Sequence, residues 1–264
     1  MTNVLNDIVM RTLERIDAKK KIMPTDRIAE IAKGYGRSVS FPFERALKGD
    51  DIAFICEIKK ASPSKGIIAE DLDHRRTAME YHAAGAAAIS VLTEPFFFHG
   101  NDDHLREVAN TVPIPVLRKD FVVDEYMIYE AKILGADAVL LICAILDDDL
   151  LIRCVNIAHK LGLSALVEVH DENEVSSALD AGARIIGVNN RDLRTFGTDI
   201  GISGRLRPLI PKDKIFVSES GIRTAEDVNE LRKMGADAVL IGETLMKSPD
   251  KIKKLKELRG DIIG

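Results

Sequence analysis

These 264 residues hold no CxxC pair, no apolar run of transmembrane length and no surplus of basic residues. Each absence excludes something. A net charge of −5 gives no footing to nucleic acid or an anionic membrane as partner, so any anionic ligand has to be held by local groups. Cys56, Cys143 and Cys154 stand apart, without a metal partner set, and read as reduced buried thiols. The six histidines make no HxH or HExxH arrangement; His99 and His104 read as surface residues rather than metal ligands. The opening MTNVLNDIVMRTLERIDAKKK mixes acids and bases through an amphipathic pattern, unlike a secretion signal. With no segment long enough for a bilayer, the expectation is a cytoplasmic protein.

What is there is ordinary for a globular chain: 46% hydrophobic and 30% charged residues, with length enough for a sizeable core. Four segments resemble one another: HAAGAAAISVLT (82–93), KILGADAVLLIC (132–143), LDAGARIIGVNN (179–190) and RKMGADAVLIGE (232–243). Each ends a helical pattern on a glycine and runs into an apolar strand. Glycine there supplies a left-handed helix cap. The strands do not alternate cleanly, as expected when helices cover both faces of a parallel sheet. Gly85, Gly135, Gly182 and Gly235 are 50, 47 and 53 residues apart, room for two strand–helix units per interval. Each interval holds one further strand candidate: 114–121, 163–170 and 214–220. With 52–60 that makes eight, separated by helical patterns. The spacing predicts a single (β/α)8 barrel domain over 1–264, with 1–48 as an N-terminal extension of one or two helices packed on it. A doubly wound open sheet is the alternative, disfavoured because no glycine-rich dinucleotide fingerprint follows the first strand.

Polar residues gather where the strands end. CEIKKASPSKG (56–66) carries Glu57, Lys59 and Lys60; alternation puts Glu57 and Lys59 on one face and Lys60 on the other. Lys119, Glu168, Asn189 and Glu219 end further strands. In a barrel these ends surround the mouth where active sites form. Three carboxylates and two ammonium groups there have to compensate one another, and such clusters shift proton affinities toward acid–base work. A purely structural ion-pair layer is the plainer alternative. The turns SESGI (218–222) and LIGET (240–244) follow the last two strands, where backbone N–H groups commonly hold phosphate in barrels. The serines and Lys65 of SPSKG either donate to phosphate or form a solvated turn. Three consecutive phenylalanines in PFFFHG (95–100) suggest a flat apolar ligand, although packing under the loop accounts for at least one.

Taken together, CEIKKASPSKG, SVLTE with the following F-H-G, LRKDF, LVEVH, GVNNRDL, SESGI and IGE resemble the indole-3-glycerol phosphate synthase family over about residues 45–250, in order. The resemblance implies a barrel with an N-terminal helical extension. It implies ring closure of 1-(2-carboxyphenylamino)-1-deoxyribulose 5-phosphate with loss of CO2 and water, and no metal or organic cofactor. By the same resemblance Lys119 matches the general acid of ring closure. Glu168 and Lys59 match the later proton transfers, without a division between them. Glu57 matches a carboxylate that orients the lysines, Asn189 and Glu219 match hydrogen-bonding partners, and Arg191 lies near the mouth. Ser62, Ser220, Gly221, Gly242 and Glu243 fall at phosphate-site positions; Glu243 departs from the small polar residue expected there and has to turn away from a dianion. Phe98 and Phe121 match contacts to the anthranilate ring, with Phe96 or Phe97 as replacements in so phenylalanine-rich a loop. The expected partner is a small phosphorylated substrate, with no nucleic acid or membrane, bound by a monomer or weak homo-oligomer. Another phosphoribose-handling barrel, such as an Amadori-type isomerase, leaves the Glu57-x-Lys59 pair unexplained. A non-catalytic barrel module predicts loss of Lys59, Lys119 or Glu168, and all three are present.

Overall fold

The computed structural model describes residues 4–35, 40–192 and 197–261. Helices α1 (Val4–Ile22), α2 (Thr25–Gly34) and α3 (Pro42–Leu47) come first. Eight parallel strands then close a barrel in chain order: β1 (Ala53–Ile58), β2 (Ala88–Leu92), β3 (Val116–Lys119), β4 (Ala138–Ile142), β5 (Ser164–Val169), β6 (Ile185–Asn189), β7 (Ile215–Glu219) and β8 (Ala238–Ile241). β8 pairs back onto β1, Ala53 opposite Ala238. The outer ring is α4 (His74–Ala83), α5 (Asp102–Ala109), α6 (Tyr126–Leu134), α7 (Asp148–Lys160), α8 (Glu172–Asp180), α9 (Gly201–Leu206), α10 (Ala225–Lys233), α11 (Glu243–Met246) and α12 (Lys251–Arg259). The four glycines at the repeated helix ends have φ of 89°, 91°, 78° and 80°, the left-handed region their positions require.

The extension differs from expectation. Its described part holds three helices, and the third is a plug. Pro42 starts α3 where a missing N–H costs nothing. Phe43 and Leu47 are fully buried in the barrel interior with Ile55, Leu117, Leu166 and Val217. Glu44 pairs with Arg184 at 2.8 Å and accepts from Ser164 Oγ at 3.3 Å. Both partners sit at the entry ends of β5 and β6, so α3 closes the bottom. Residues 1–3 and 36–39 of the predicted extension lie outside the described residues.

At the other end, α1 is tied to the mouth by charge. Arg15 donates to both oxygens of Asp120, at 3.0 and 2.9 Å. Lys19 reaches Asp102 at 2.7 Å and Glu130 at 2.5 Å. Behind them lies Arg118, wholly buried on the outer face of β3, bonded to Asp102 (2.9 Å), Glu130 (2.7 Å), Thr93 Oγ1 (3.2 Å) and the Met127 carbonyl (3.1 Å). A guanidinium presents five donors in a fixed fork, which suits a site with this many acceptors. No helix among the described residues is long and apolar enough to cross a membrane.

Candidate active site

Alternation along the strands builds the site. Inward side chains of the lower layers, such as Ile55, Leu117, Leu166 and Val217, are apolar. Two residues further on the same inward series reaches Glu57, Lys119, Glu168 and Glu219. The barrel interior therefore turns from aliphatic to ionic within one step along each strand, at its C-terminal end. Above this layer opens a cavity of about 950 Å3. Fourteen of the residues singled out from the sequence as catalytic or substrate-binding line it: Glu57, Lys59, Ser62, Phe98, Lys119, Phe121, Glu168, Asn189, Arg191, Glu219, Ser220, Gly221, Gly242 and Glu243.

Lys119 stands at the centre. Its Nζ is 3.9 Å from an oxygen of each of Glu57, Glu168 and Glu219. That separation gives attraction without a direct hydrogen bond. Burial works against the ammonium form, but the charges of Glu168, Glu57 and Glu219 outweigh it and raise the Lys119 pKa above that of an ordinary lysine. Lys59 is held differently, with its Nζ 2.6 Å from Glu57 Oε1. Burial pushes the Glu57 carboxyl upward, yet Lys59 and Lys119 together hold it below the usual carboxylate range.

Glu219 goes the other way. Burial first, then the neighbouring Glu168 carboxylate, push it up to about 8 against the pull of Lys119. Its Oε1 is buried without a hydrogen-bond partner. Three carboxylates against two ammonium groups leave a surplus negative charge; a proton on Glu219 makes the formal count two against two. Glycine makes room for these acids. A Cβ at Gly187 would collide with Glu219 Oε1, and one at Gly242 with Glu57 Oε1. Both glycines occupy inward positions where any side chain would fill the space of a carboxylate.

Asn189 Nδ2 donates to Glu168 Oε1 at 3.1 Å, while its Oδ1 accepts the Arg191 backbone N–H at 3.0 Å. Behind Glu168, outside the cavity wall, lies His170. Its Nε2 is 3.4 Å from Glu168 Oε1 and its Nδ1 is 3.0 Å from Glu174 Oε2.

One wall of the cavity is apolar. The loop after β2 is folded around Glu94, a fully buried carboxylate that accepts the backbone N–H groups of Phe96, Phe97 and Phe98 at 2.9, 2.7 and 3.0 Å. This turn sends consecutive phenylalanines in different directions. Phe98 faces the cavity beside Phe121, ring centroids 5.7 Å apart, and Phe96 is exposed. Neither Phe96 nor Phe97 lines the cavity.

The opposite rim is polar. Ser220 and Gly221 both have positive φ, 68° and 80°, which folds the turn after β7 tightly. Gly242 precedes α11, whose first turn leaves N–H groups without intrahelical acceptors. Lys65, Arg223 and Lys247 stand around the same rim. Glu243 does turn aside: Lys247 holds it at 2.6 Å and Arg191 lies 3.7 Å from its other oxygen. Burial opposes, but its bond to Lys247 and the charges of Lys247, Lys65 and Arg191 keep the carboxyl below the usual range.

Several contributors were not singled out from the sequence. Val4, Leu5 and Ile8 bring α1 to the cavity, and Arg223 from the loop after β7 and Lys247 from the C-terminal end of α11 reach its rim. His170 was visible only as a letter in LVEVH. The available signal was an acid, Glu174, four positions on in the first turn of the following helix. Among the described residues no group of three or more His, Cys, Asp or Glu is arranged to hold a metal. His104 instead stacks on His74, centroids 3.7 Å apart.

Comparison with known proteins converges on one family. The family model for indole-3-glycerol phosphate synthase matches residues 5–258. An indole-3-glycerol phosphate synthase from Ruminiclostridium cellulolyticum is 56% identical over 97% of this chain and 99% of its own length. One from Endomicrobium trichonymphae is 51% identical over the same shares. Among solved structures, 3-hexulose-6-phosphate synthase from Salmonella typhimurium shares the barrel, with a TM-score of 0.62 over 79% of this chain and 97% of that one, at 16% identity. That likeness concerns the fold alone. The full-length match and the high identities show that this chain belongs to the indole-3-glycerol phosphate synthase family.

Proposed function

We infer that this chain is a carboxy-lyase that closes the indole ring of 1-(2-carboxyphenylamino)-1-deoxyribulose 5-phosphate, with Lys119 as the proton donor. The observation that carries the reading is the position of Lys119 Nζ, 3.9 Å from each of three carboxylates and free to extend into the cavity. When the ring carbon attacks the ribulose carbonyl, negative charge grows on its oxygen. A charged ammonium held by carboxylates rather than hydrogen-bonded to them can move onto that oxygen and protonate it. Loss of CO2 then restores the aromatic ring.

Dehydration needs one proton given to the departing hydroxyl and one taken from the adjoining carbon. An ammonium can give and a carboxylate can take, which allots the first to Lys59 and the second to Glu168. Glu57 orients Lys59 through their 2.6 Å contact. Asn189 fixes Glu168 by its 3.1 Å bond. Phe98 and Phe121 form the wall for the anthranilate ring. Ser62, Ser220, Gly221 and Gly242, with the cations of the rim, surround the place for the phosphate. The test is turnover: the purified protein with this substrate should develop indole absorbance and fluorescence with one CO2 per ring closed. Absence of both, from a folded protein under varied pH, would dispose of the reading.

A further inference from the structure

The strand-end inventory leaves His170 without a role, although it sits directly behind Glu168. It follows the last residue of β5, two positions past Glu168, and does not line the cavity. Its surroundings are acidic. Glu168 faces it from β5, Glu174 from α8 and Glu219 from β7; Lys119 lies beyond the same carboxylates, and the Cys143 thiol donates to the Glu174 carbonyl at 3.7 Å.

The hydrogen count at this imidazole is informative. Glu174 Oε2 accepts the His170 backbone N–H at 2.7 Å and lies 3.0 Å from Nδ1. A carboxylate only accepts, so Nδ1 carries a hydrogen. In a neutral ring Nε2 is then an acceptor. It faces Glu168 Oε1, also an acceptor, at 3.4 Å in a buried position where Nε2 has no other partner. Two lone pairs cannot face one another there favourably; the contact is attractive when one proton lies between them, on nitrogen or on oxygen. Burial disfavours the charged ring, but the bond to Glu174 and the charges of Glu168, Glu174 and Glu219 outweigh it, raising the His170 pKa above the ordinary value. The side chains of His170 and Glu174 are 17% and 19% exposed, against 3% for Glu168, so the three lead from the site toward water.

We propose that His170 is a positioning residue that relays protons for Glu168: its Nε2, a bare acceptor while Glu168 is a carboxylate, takes up and shares the proton that Glu168 receives. The inference rests on the reading of Glu168 as the base. The balance is simple. Glu168 takes the proton from the ring-adjacent carbon, and the electrons of that C–H bond enter the new indole double bond. The O–H bond of Glu168 then breaks, its electrons staying on oxygen, while the Nε2 lone pair forms an N–H bond. Imidazolium results, with its Nδ1 hydrogen still on Glu174. Glu168 is a carboxylate again, and the proton parked on Nε2 later returns through Glu168 toward Lys119, 3.9 Å away, which frees the Nε2 lone pair for the next cycle. The overall reaction turns a carboxylate into CO2 and so takes up one proton per turnover. A connection from Glu168 to water therefore serves the recharging of the two lysines.

His170→Gln keeps an amide donor near the Nε2 position but cannot titrate; Glu174→Gln keeps an acceptor for the Nδ1 and backbone hydrogens and removes the charge. With fold checked by circular dichroism, His170→Gln should keep KM within about threefold and lower kcat by roughly 10–100-fold, the scale seen when partners behind a functional group are removed. It should also lose one ionisation from the kcat–pH profile. Glu174→Gln should move that ionisation to lower pH. Parent-like kcat with a parent-like profile in His170→Gln would overturn the relay, and so would a lower kcat whose profile keeps the parent ionisation. Glu168→Gln, run alongside, separates the two claims: if it turns over at the parent rate, the reading of Glu168 itself falls, whereas an inactive Glu168→Gln beside an unaffected His170→Gln removes only the relay.

Discussion

Glu219→Gln probes the charge balance of the site through stability as well as rate. Glu219 is 1% exposed, its Oε1 has no hydrogen-bond partner, and its nearest cation is Lys119 at 3.9 Å. Its carboxyl is pushed from 4.5 to about 8 in the fold. Between those values the folded chain holds a proton that the unfolded chain has released. Stability contributed by this group is therefore complete below about pH 4.5 and declines as pH rises toward 8, at up to about 1.4 kcal/mol per pH unit. Over the window the loss is on the order of a few kcal/mol. His170, also raised, changes stability with the same sign starting near its ordinary value; its larger causes, Glu174 and Glu168, are present in both proteins, so most of its contribution cancels in their difference and only the smaller Glu219 share remains. Glutamine has no proton to lose. Urea unfolding of parent and Glu219→Gln at a series of pH values between 5 and 9 should show the variant gaining on the parent as pH rises. Parallel stability–pH curves would refute both the protonated Glu219 and the two-against-two charge count.

Arg118→Met leaves Asp102, Asp120 and Glu130 without their central cation; Arg15 and Lys19 compensate in part, so unfolding should cost about 3 kcal/mol or more, a fall of roughly 6 °C or more by calorimetry. A shift within 1 °C would mean the network contributes nothing. Gly187→Ala drives a methyl into Glu219 Oε1 and to 3.0 Å from Leu166 Cδ1, so a loss of about 1–3 kcal/mol together with reduced kcat is expected. Equal stability and rate would remove the argument that glycine is needed there. Inorganic phosphate should compete with substrate at fixed ionic strength, and the dephosphorylated substrate should bind far more weakly; if neither holds, the turns after β7 and β8 do not bind the phosphate.

The barrel was legible because its determinants are local and repeat. Gly85, Gly135, Gly182 and Gly235 each mark a helix end with positive φ, and each precedes a buried strand. The inner acids and lysines were legible for a related reason: two-residue alternation carries a side chain's direction from the core to the mouth. What depends on distant partners could not be read. The Arg118 cluster joins Arg15, Lys19, Asp102, Asp120 and Glu130, which are scattered over more than a hundred residues and lie on α1, α5, α6 and the loop after β3. The approach of α1 to the cavity follows from those pairs, so its apolar residues Val4, Leu5 and Ile8 gave no sign of their place. The plug helix α3 was absorbed into a vaguer extension because Phe43 and Leu47 make a pattern too short to show a period. Glu243, at odds with a phosphate site in sequence, is accounted for by Lys247 one helical turn away. The antiparallel ribbon of Ala61–Ser62 with Gly66–Ile67 arises within the lysine–serine loop and has no strand signal of its own.

The central claim is that Lys119 donates the proton that closes the ring. Lys119→Met retains most of the side-chain stem and removes the donor. Single-turnover mixing of this variant with the carboxyphenylamino-deoxyribulose phosphate, followed by indole fluorescence and released CO2, tests the claim directly. The account predicts substrate binding close to that of the parent, with ring closure slowed by on the order of 10² or more. Ring closure at the parent rate in a folded, substrate-binding Lys119→Met would contradict it.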